Sequence, residues 1–268
     1  MGASDGTDRG LPTAEGGAAA DLRRYLAGEP GTDPTVGSSP LLGRLRGLLG
    51  PRQRAFAKVV GTRLMAPRSA RRLKALAGSG RPLLLNLGSG TYNAPGWVNI
   101  DLWGLHSAWG VNPDVIWDLT KPLPLPAGSV RAVFLEHVLE HLTAATALAA
   151  VDQAHRLLEP GGVLRISVPD FGRYARSYAA DGKGTDADFL AGQRPGRPTP
   201  LLALAEVSHH HGHVSLWDDA TLVELLRSAG FEQVAPSAFQ QTQLSPIPDN
   251  PDRRGESLYV EGIKAGAA

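Results

Sequence analysis

Leu83-Leu84-Leu85-Asn86-Leu87-Gly88-Ser89-Gly90 is an apolar run that stops against two glycines one residue apart. A run this apolar, without alternation, has the pattern of a parallel strand buried on both faces. Gly-x-Gly at its end marks a turn where the backbone takes a left-handed conformation or lets another group come close.

Working outward, Trp97-Val98-Asn99-Ile100 reads as a second strand ending at Asp101, and Val115-Ile116-Trp117 as a third ending at Asp118. Val130 to Leu135 is a fourth, ending at Glu136. A helix is expected from Thr143 to Leu158, stopped by Glu159-Pro160-Gly161-Gly162. Val163 to Val168 is a fifth strand, stopped by Pro169. Thr221 to Ala229 is a helix, and Val234 to Phe239 with Leu258 to Ile263 form a closing pair of strands. Strands alternating with helices at this spacing predict an α/β fold with a doubly wound, mostly parallel, Rossmann-like sheet and an antiparallel C-terminal strand. Ligands of such sheets sit beyond the carboxyl ends of the strands, where strand order reverses. Those ends carry Gly-Ser-Gly, Asp101, Asp118 and Glu136.

Composition narrows the classes. The 268 residues are 42% hydrophobic and 20% charged, with a net charge of +1 and no cysteine. Disulfides, thiolate metal sites and cysteine nucleophiles are excluded. No apolar run approaches the roughly 18 residues of a membrane span, and the N-terminus lacks a secretory pattern, so a cytoplasmic protein is the expectation. Residues 1–40, rich in Gly, Ala, Ser, Asp and Pro, read as a flexible arm. Residues 41–80 read as a basic helical cover: from Leu41 to Leu76 there are ten Lys and Arg and no Asp or Glu. Leu45, Leu48 and Leu49, and again Phe56, Val59 and Val60, recur at helical spacing, and Pro51 and Pro67 are expected to divide the segment into short helices. This cover either packs on the core with its arginines solvated or offers a surface to an anionic substrate or lipid headgroup. Residues 81–268 form the main domain, with an insertion at about 171–207 read as a lid.

A Gly-x-Gly after the first strand and an acid after the second suit a ribose-bearing ligand. The dinucleotide reading fails on detail: the third glycine of G-x-G-x-x-G is replaced by Asn93. Pro95-Gly96 also makes this a loop rather than a helix end that holds pyrophosphate. A ligand with ribose and adenine but no phosphate fits better. The stretch "LNLGSGTYNAPGWVNIDL" resembles the first nucleotide-binding motif of class I S-adenosylmethionine-dependent methyltransferases. The likeness continues through "WDLTKPLPLPAGSVRAVFLEHVLEHL", "AHRLLEPGGVLRISVPDF" and "HGHVSLWDDATLVELLRSAGF". It covers Arg81 to Lys264 and is similar to the bacterial small-molecule type associated with glycans and secondary metabolites.

The resemblance implies S-adenosylmethionine as cofactor, with Gly88, Ser89 and Gly90 passing its methionyl part. It implies that Asp101 accepts the ribose hydroxyls with Leu102 lining the adenine, that Asp118 with Leu119 beside it receives the adenine amino group, and that Glu136 and His137 border the sulfonium and the acceptor. The family usually has an acid where Asn86 stands and often a glycine where Tyr92 stands. Asn86 can order the loop by hydrogen bonds but gives up charge attraction to the cofactor ammonium.

Methyl transfer is an in-line displacement in which the protein aligns the partners and excludes water. A hydroxyl acceptor gains from a base, and histidine suits neutral pH. "EHVLEHL" places His137 and His141 four apart, as it does Glu136 and Glu140. His137 is read as a base or substrate contact, or as a pocket-lining residue, and His141 as structural. H-V-L-E-H is not the H-E-x-x-H order of zinc proteases. Among His209, His210, His211 and His213 a metal is conceivable, but the run reads as a loop, and no metal ligand is assigned. His213 is a second base candidate by the resemblance. Asp170 either orients an acceptor or caps the next helix. Arg173, Arg176, Arg194 and Arg197 either meet an anionic acceptor or face solvent.

The expectation is therefore methyl transfer to a small molecule, at a hydroxyl of a sugar or natural product, without nucleic acid and with a homodimer left open. The alternatives are a nucleic-acid methyltransferase clamping with residues 41–76, a metal-dependent enzyme built on the histidines, and a non-catalytic cofactor-binding protein.

Overall fold

The computed structural model describes residues 22–23, 51–102, 112–180, 186 and 188–266, with the side chains of 51–55 and 211 excepted. The arm assigned to residues 1–40, apart from helical Leu22 and Arg23, lies outside the described residues. So does the Leu45, Leu48 and Leu49 spacing.

Seven strands form one sheet in the order β3-β2-β1-β4-β5-β7-β6. They are β1 (Leu84–Leu87), β2 (Val98–Asp101), β3 (Val115–Ile116), β4 (Val130–Glu136), β5 (Leu158–Pro169), β6 (Phe231–Ser237) and β7 (Ser257–Lys264). β1 runs parallel to β2 and β4, β2 to β3, and β4 to β5, while β7 is antiparallel to both β5 and β6. The chain steps outward from β1 to β3, then returns to place β4 on the other side of β1. Strand order reverses between β1 and β4, and this opens the crevice beyond Leu87 and Glu136.

The core follows from the apolar runs. Leu85, Ile100, Val133, Leu164 and Ile166 are fully buried, with α2 (Ala144–Leu157) presenting Ala147, Val151, Ala154 and Leu157 to them. Thr143 starts α2 as its cap, its Oγ1 accepting the Thr146 amide at 3.3 Å. β5 begins earlier than the sequence indicates. Leu158 already pairs with Val130, and a register shift between Val130 and Ala132 absorbs Glu159 to Gly162 as a bulge rather than a gap.

The basic segment also differs. One helix, α1 (Pro51–Ala77), runs straight through Pro67. Pro67 and Arg63 are both exposed residues, and the helix forgoes the hydrogen bond that Pro67 cannot donate. The buried stripe of α1 is Thr62, Ser69 and Leu73, with Leu73 in the main core. Phe56 and Val59, which recur at helical spacing, are 71% and 45% exposed.

After β5, α3 (Phe171–Ala179), α4 (Phe189–Gln193) and α5 (Pro200–His209) pack on one another through Tyr174, Phe189, Leu190, Ala203 and Val207. The chain then enters α6 (Asp219–Ser228) and the β6–β7 hairpin. No described helix is long and apolar enough to cross a membrane.

Candidate active site

The glycine turn closes on the acid that ends β2. Gly88 (φ +73°) and Gly90 (φ +54°) are both left-handed, a conformation that favours glycine. The Gly88 and Ser89 amides donate to the Ile100 carbonyl, and the Gly90 amide donates to Asp101 Oδ2 at 2.7 Å. Asp101 Oδ1 accepts the Leu102 amide at 2.6 Å. Each carboxylate oxygen has two lone pairs, so two acceptor sites remain for a ligand.

Asn86 takes the place of the acid expected there. It is buried and donates to Asn99 Oδ1 at 2.9 Å, and Asn99 in turn accepts the Ala94 amide. This pair fixes the loop from Gly88 to Trp97 without a charge. The turn also fits a ligand. Ser89 Oγ is buried with no hydrogen-bond partner among the described residues, and a Cβ on Gly90 would have no atom within 4 Å. Asp118, past β3, holds the Thr120 amide and hydroxyl through Oδ1, and Leu119 packs against the core edge.

Across the crevice, Glu136 accepts the Asn250 amide at 3.2 Å. Burial pushes its pKa up to about 7, and Asp249 adds to this, while the Asn250 amide, Arg253 and Arg165 oppose it. His137 follows with φ +51°, a strained conformation for a non-glycine residue. Its Nε2 lies 2.7 Å from Ser257 Oγ and its Nδ1 is 3.5 Å from Glu140 Oε1. Burial, then the charge of Arg253, lowers its pKa to about 3, so at neutral pH the ring is uncharged and a weak base.

Behind His137 lies a second group. Glu140 sits in a short 3-10 turn, Leu139–His141, and burial raises its pKa to about 8. The Val214 and Ser215 amides donate to the Glu140 carbonyl, bringing His213 beside His141 with ring centroids 4.9 Å apart. His213 Nδ1 donates to the Val207 carbonyl at 2.7 Å. Ligand atoms of Glu140, His141 and His213 all lie within 4.8 Å of one another.

Residues 53–235 match the family model described as a methyltransferase domain. The chain belongs to this methyltransferase family. It is an S-adenosylmethionine-dependent methyltransferase, with S-adenosylmethionine as cofactor. Three solved structures show what the methyltransferase is similar to. A protein of Thermotoga maritima, described as a possible histamine N-methyltransferase, shares 18% identity over 73% of this chain and 91% of its own, with a TM-score of 0.43. A methyltransferase of Archaeoglobus fulgidus shares 14% over 76% and 94%, TM-score 0.42. One of Mesorhizobium loti shares 20% over 70% and 96%, TM-score 0.40. No curated protein matches the chain.

Of the residues singled out in the sequence, Asn86 on β1, the turn Gly88 to Gly90, and Asp101 and Leu102 at the end of β2 lie side by side in the methyltransferase. Glu136 and His137 sit across the strand-order reversal from it. Asp170 caps α3, its Oδ1 accepting the Arg173 amide at 2.8 Å. The four arginines of the insertion are ion-paired: Arg173 and Arg176 with Asp186, Arg194 with Glu206 and Glu256, and Arg197 with Glu206.

Sequence reasoning missed Arg165, which is fully buried at the centre of β5. It makes two 2.6 Å bonds to Asp249 and one of 2.8 Å to Glu261. An arginine inside "VLRISV" requires a buried counter-charge. That signal was present, but its partner lies in a loop with no periodicity to reveal it. Asp249 and Asn250 thereby carry the segment that touches Tyr92 and Glu136.

Proposed function

We propose that this methyltransferase acts on a hydroxyl of a small molecule, a sugar or natural product. The observation that supports the reading most is the closed turn in which Gly90 and Leu102 hold both oxygens of Asp101 in place. The remaining lone pairs of that carboxylate suit the two hydroxyls of a ribose, and the open side of Gly90 suits a ligand passing close to backbone. Ser89 Oγ is an unsatisfied polar atom in the same turn. Asp118 and Leu119 take the adenine end, and Asn86 orders the loop. When bound, the cofactor supplies an electrophilic methyl on a cationic sulfur. Glu136 offers a carboxylate to that positive charge.

The acceptor side is assigned to the rim at the ends of β5, β6 and β7. A cavity of about 480 Å³ opens there, bordered by Ser257, Tyr259, Ser237, Arg254 and Asp170. Ser257 links it to His137. His137, nearly uncharged at neutral pH, is a hydrogen-bonding contact for the acceptor rather than its proton acceptor. The proton is assigned to His213, which lines the small neighbouring cavity with Pro169, Phe171 and Trp217 rather than this one, and whose Nδ1–H donates to the Val207 carbonyl. Helices α3 to α5 are the cover of the acceptor, and Asp170 serves by capping the first of them.

The test is transfer of a labelled methyl from S-adenosylmethionine into fractions of a bacterial metabolite extract. Label is expected in a small polar product whose new methyl is an ether by NMR, and is expected to vanish with Asp101→Ala. Label at nitrogen or carbon, or only in nucleic acid, would overturn the acceptor assignment.

A further inference from the structure

We propose that Glu140, His141 and His213 form a binding site for one divalent first-row transition-metal ion, of which Zn²⁺ is the type. Their ligand atoms converge within 4.8 Å. The 74° angle between the two imidazole planes is an edge arrangement, which lets ring nitrogens meet at one point instead of stacking.

Glu140 provides the independent observation. Its side chain is 2% exposed, and neither carboxylate oxygen accepts a hydrogen bond from another described residue. Buried carboxylates ordinarily have hydrogen bonds or a counter-ion. His137 Nδ1 stands 3.5 Å from Glu140 Oε1 and belongs to a ring already bonded to Ser257. A cation between Glu140 and the two histidines supplies what the carboxylate lacks.

The surroundings orient the ligands. The Nδ1–H bond from His213 to the Val207 carbonyl selects the tautomer in which Nε2 carries the lone pair, the arrangement that metal-binding histidines share. The amides of Val214 and Ser215 clamp onto the Glu140 carbonyl, and Ser215 Oγ donates to the Leu139 carbonyl at 2.9 Å. Two segments more than seventy positions apart are thereby held in register at the cluster. One oxygen and two imidazole nitrogens select a borderline ion such as Zn²⁺ over Mg²⁺ or Ca²⁺, which take oxygen ligands. Three protein ligands leave a tetrahedral position open. His141 is exposed, so this position is reached from solvent, and an acceptor oxygen or water can occupy it. An ion there binds His213 through Nε2, the nitrogen that would otherwise take the acceptor's proton. With that nitrogen on the ion, the acceptor's proton would pass instead to solvent water at the open side next to exposed His141.

The site is read without methyl donor or acceptor, so its failure and that of the methyl-transfer reading are seen separately. The full-length protein is stripped with chelator and titrated with Co²⁺, followed by visible absorption, and with Zn²⁺ against a chromophoric chelator. One ion per chain is expected, with affinity reduced at least ~10-fold in His141→Ala and in His213→Ala. It should be unchanged in a His209→Ala, His210→Ala, His211→Ala triple variant. Circular dichroism establishes that each variant is folded, and exposed His141 keeps the test valid if His213→Ala is not. Absence of stoichiometric binding, equal affinity in His141→Ala, or loss confined to the triple variant would each overturn the proposal.

Discussion

The Gly90 amide donates to Asp101 Oδ2 across 2.7 Å, joining the turn after β1 to the acid at the end of β2. The first ligand of that carboxylate is therefore the protein itself, and the turn is ordered before any cofactor arrives. The two glycines of the turn do different work. A Cβ on Gly88 would stand 2.5 Å from Val138 Cγ2, whereas one on Gly90 would meet nothing within 4 Å.

Gly88→Ala is accordingly expected to destabilise the protein by about 2–3 kcal/mol, and Gly90→Ala by about 1 kcal/mol. Cofactor affinity should fall in Gly90→Ala beyond what the stability change explains, because its open side is where the ligand passes. Urea titration together with calorimetry separates the two effects. The reverse order of stabilities would contradict the assignment.

Asp170→Ala removes the cap of α3 and is expected to cost about 1 kcal/mol, with turnover close to the parent value. Asp170→Ser should restore most of the loss. A fall in turnover with the melting temperature unmoved would return Asp170 to the acceptor site.

β1, β2 and β4 were legible because each is an apolar run that stops at Gly88, Asp101 or Glu136, and burial leaves little else for such a run to be. The glycine turn and its contact with Asp101 were legible for the same reason, since Gly88, Gly90 and Asp101 lie at fixed offsets from strand ends. Pro67 misled because the cost of one proline can be outweighed by the rest of a 27-residue helix packed through Leu73, and that packing is not written in the local sequence. The contacts made across long sequence separations were the least readable. His213 reaches Glu140 through a loop crossing, and Arg165 finds Asp249 from 84 positions away. Neither distance leaves a period to count.

Arg165→Met leaves Asp249 fully buried without its partner, and is expected to destabilise the fold by about 3–5 kcal/mol. Adding Asp249→Asn should recover part of this, because the uncompensated charge goes with it. A double variant less stable than Arg165→Met alone would show that the pair is not the source of the cost.

Glu136 gives the pH dependence. Its folded pKa, about 7, lies above the ordinary 4.5, so between these values the folded protein keeps a proton that the unfolded chain has released. Its contribution therefore makes stability fall as pH rises from about 4.5 to about 7. Facing it are Asp249, Arg165, Arg253 and the Asn250 amide, with the phenols of Tyr92 and Tyr259 feeling its charge. A cationic cofactor favours the ionised carboxylate, so binding should tighten as pH approaches 7 and release a proton below it. Calorimetry near pH 6 in two buffers of different ionisation enthalpy measures that proton. Glu136→Gln should abolish it, and an unchanged release in this variant would assign it elsewhere.

The most direct test is calorimetric titration of S-adenosylmethionine into the parent protein and Asp101→Ala. One site per chain is expected, with affinity lower in the variant by about 1.5–3 kcal/mol, or roughly 10- to 150-fold. Equal affinity in the two proteins would place the cofactor somewhere other than the crevice between β1 and β4.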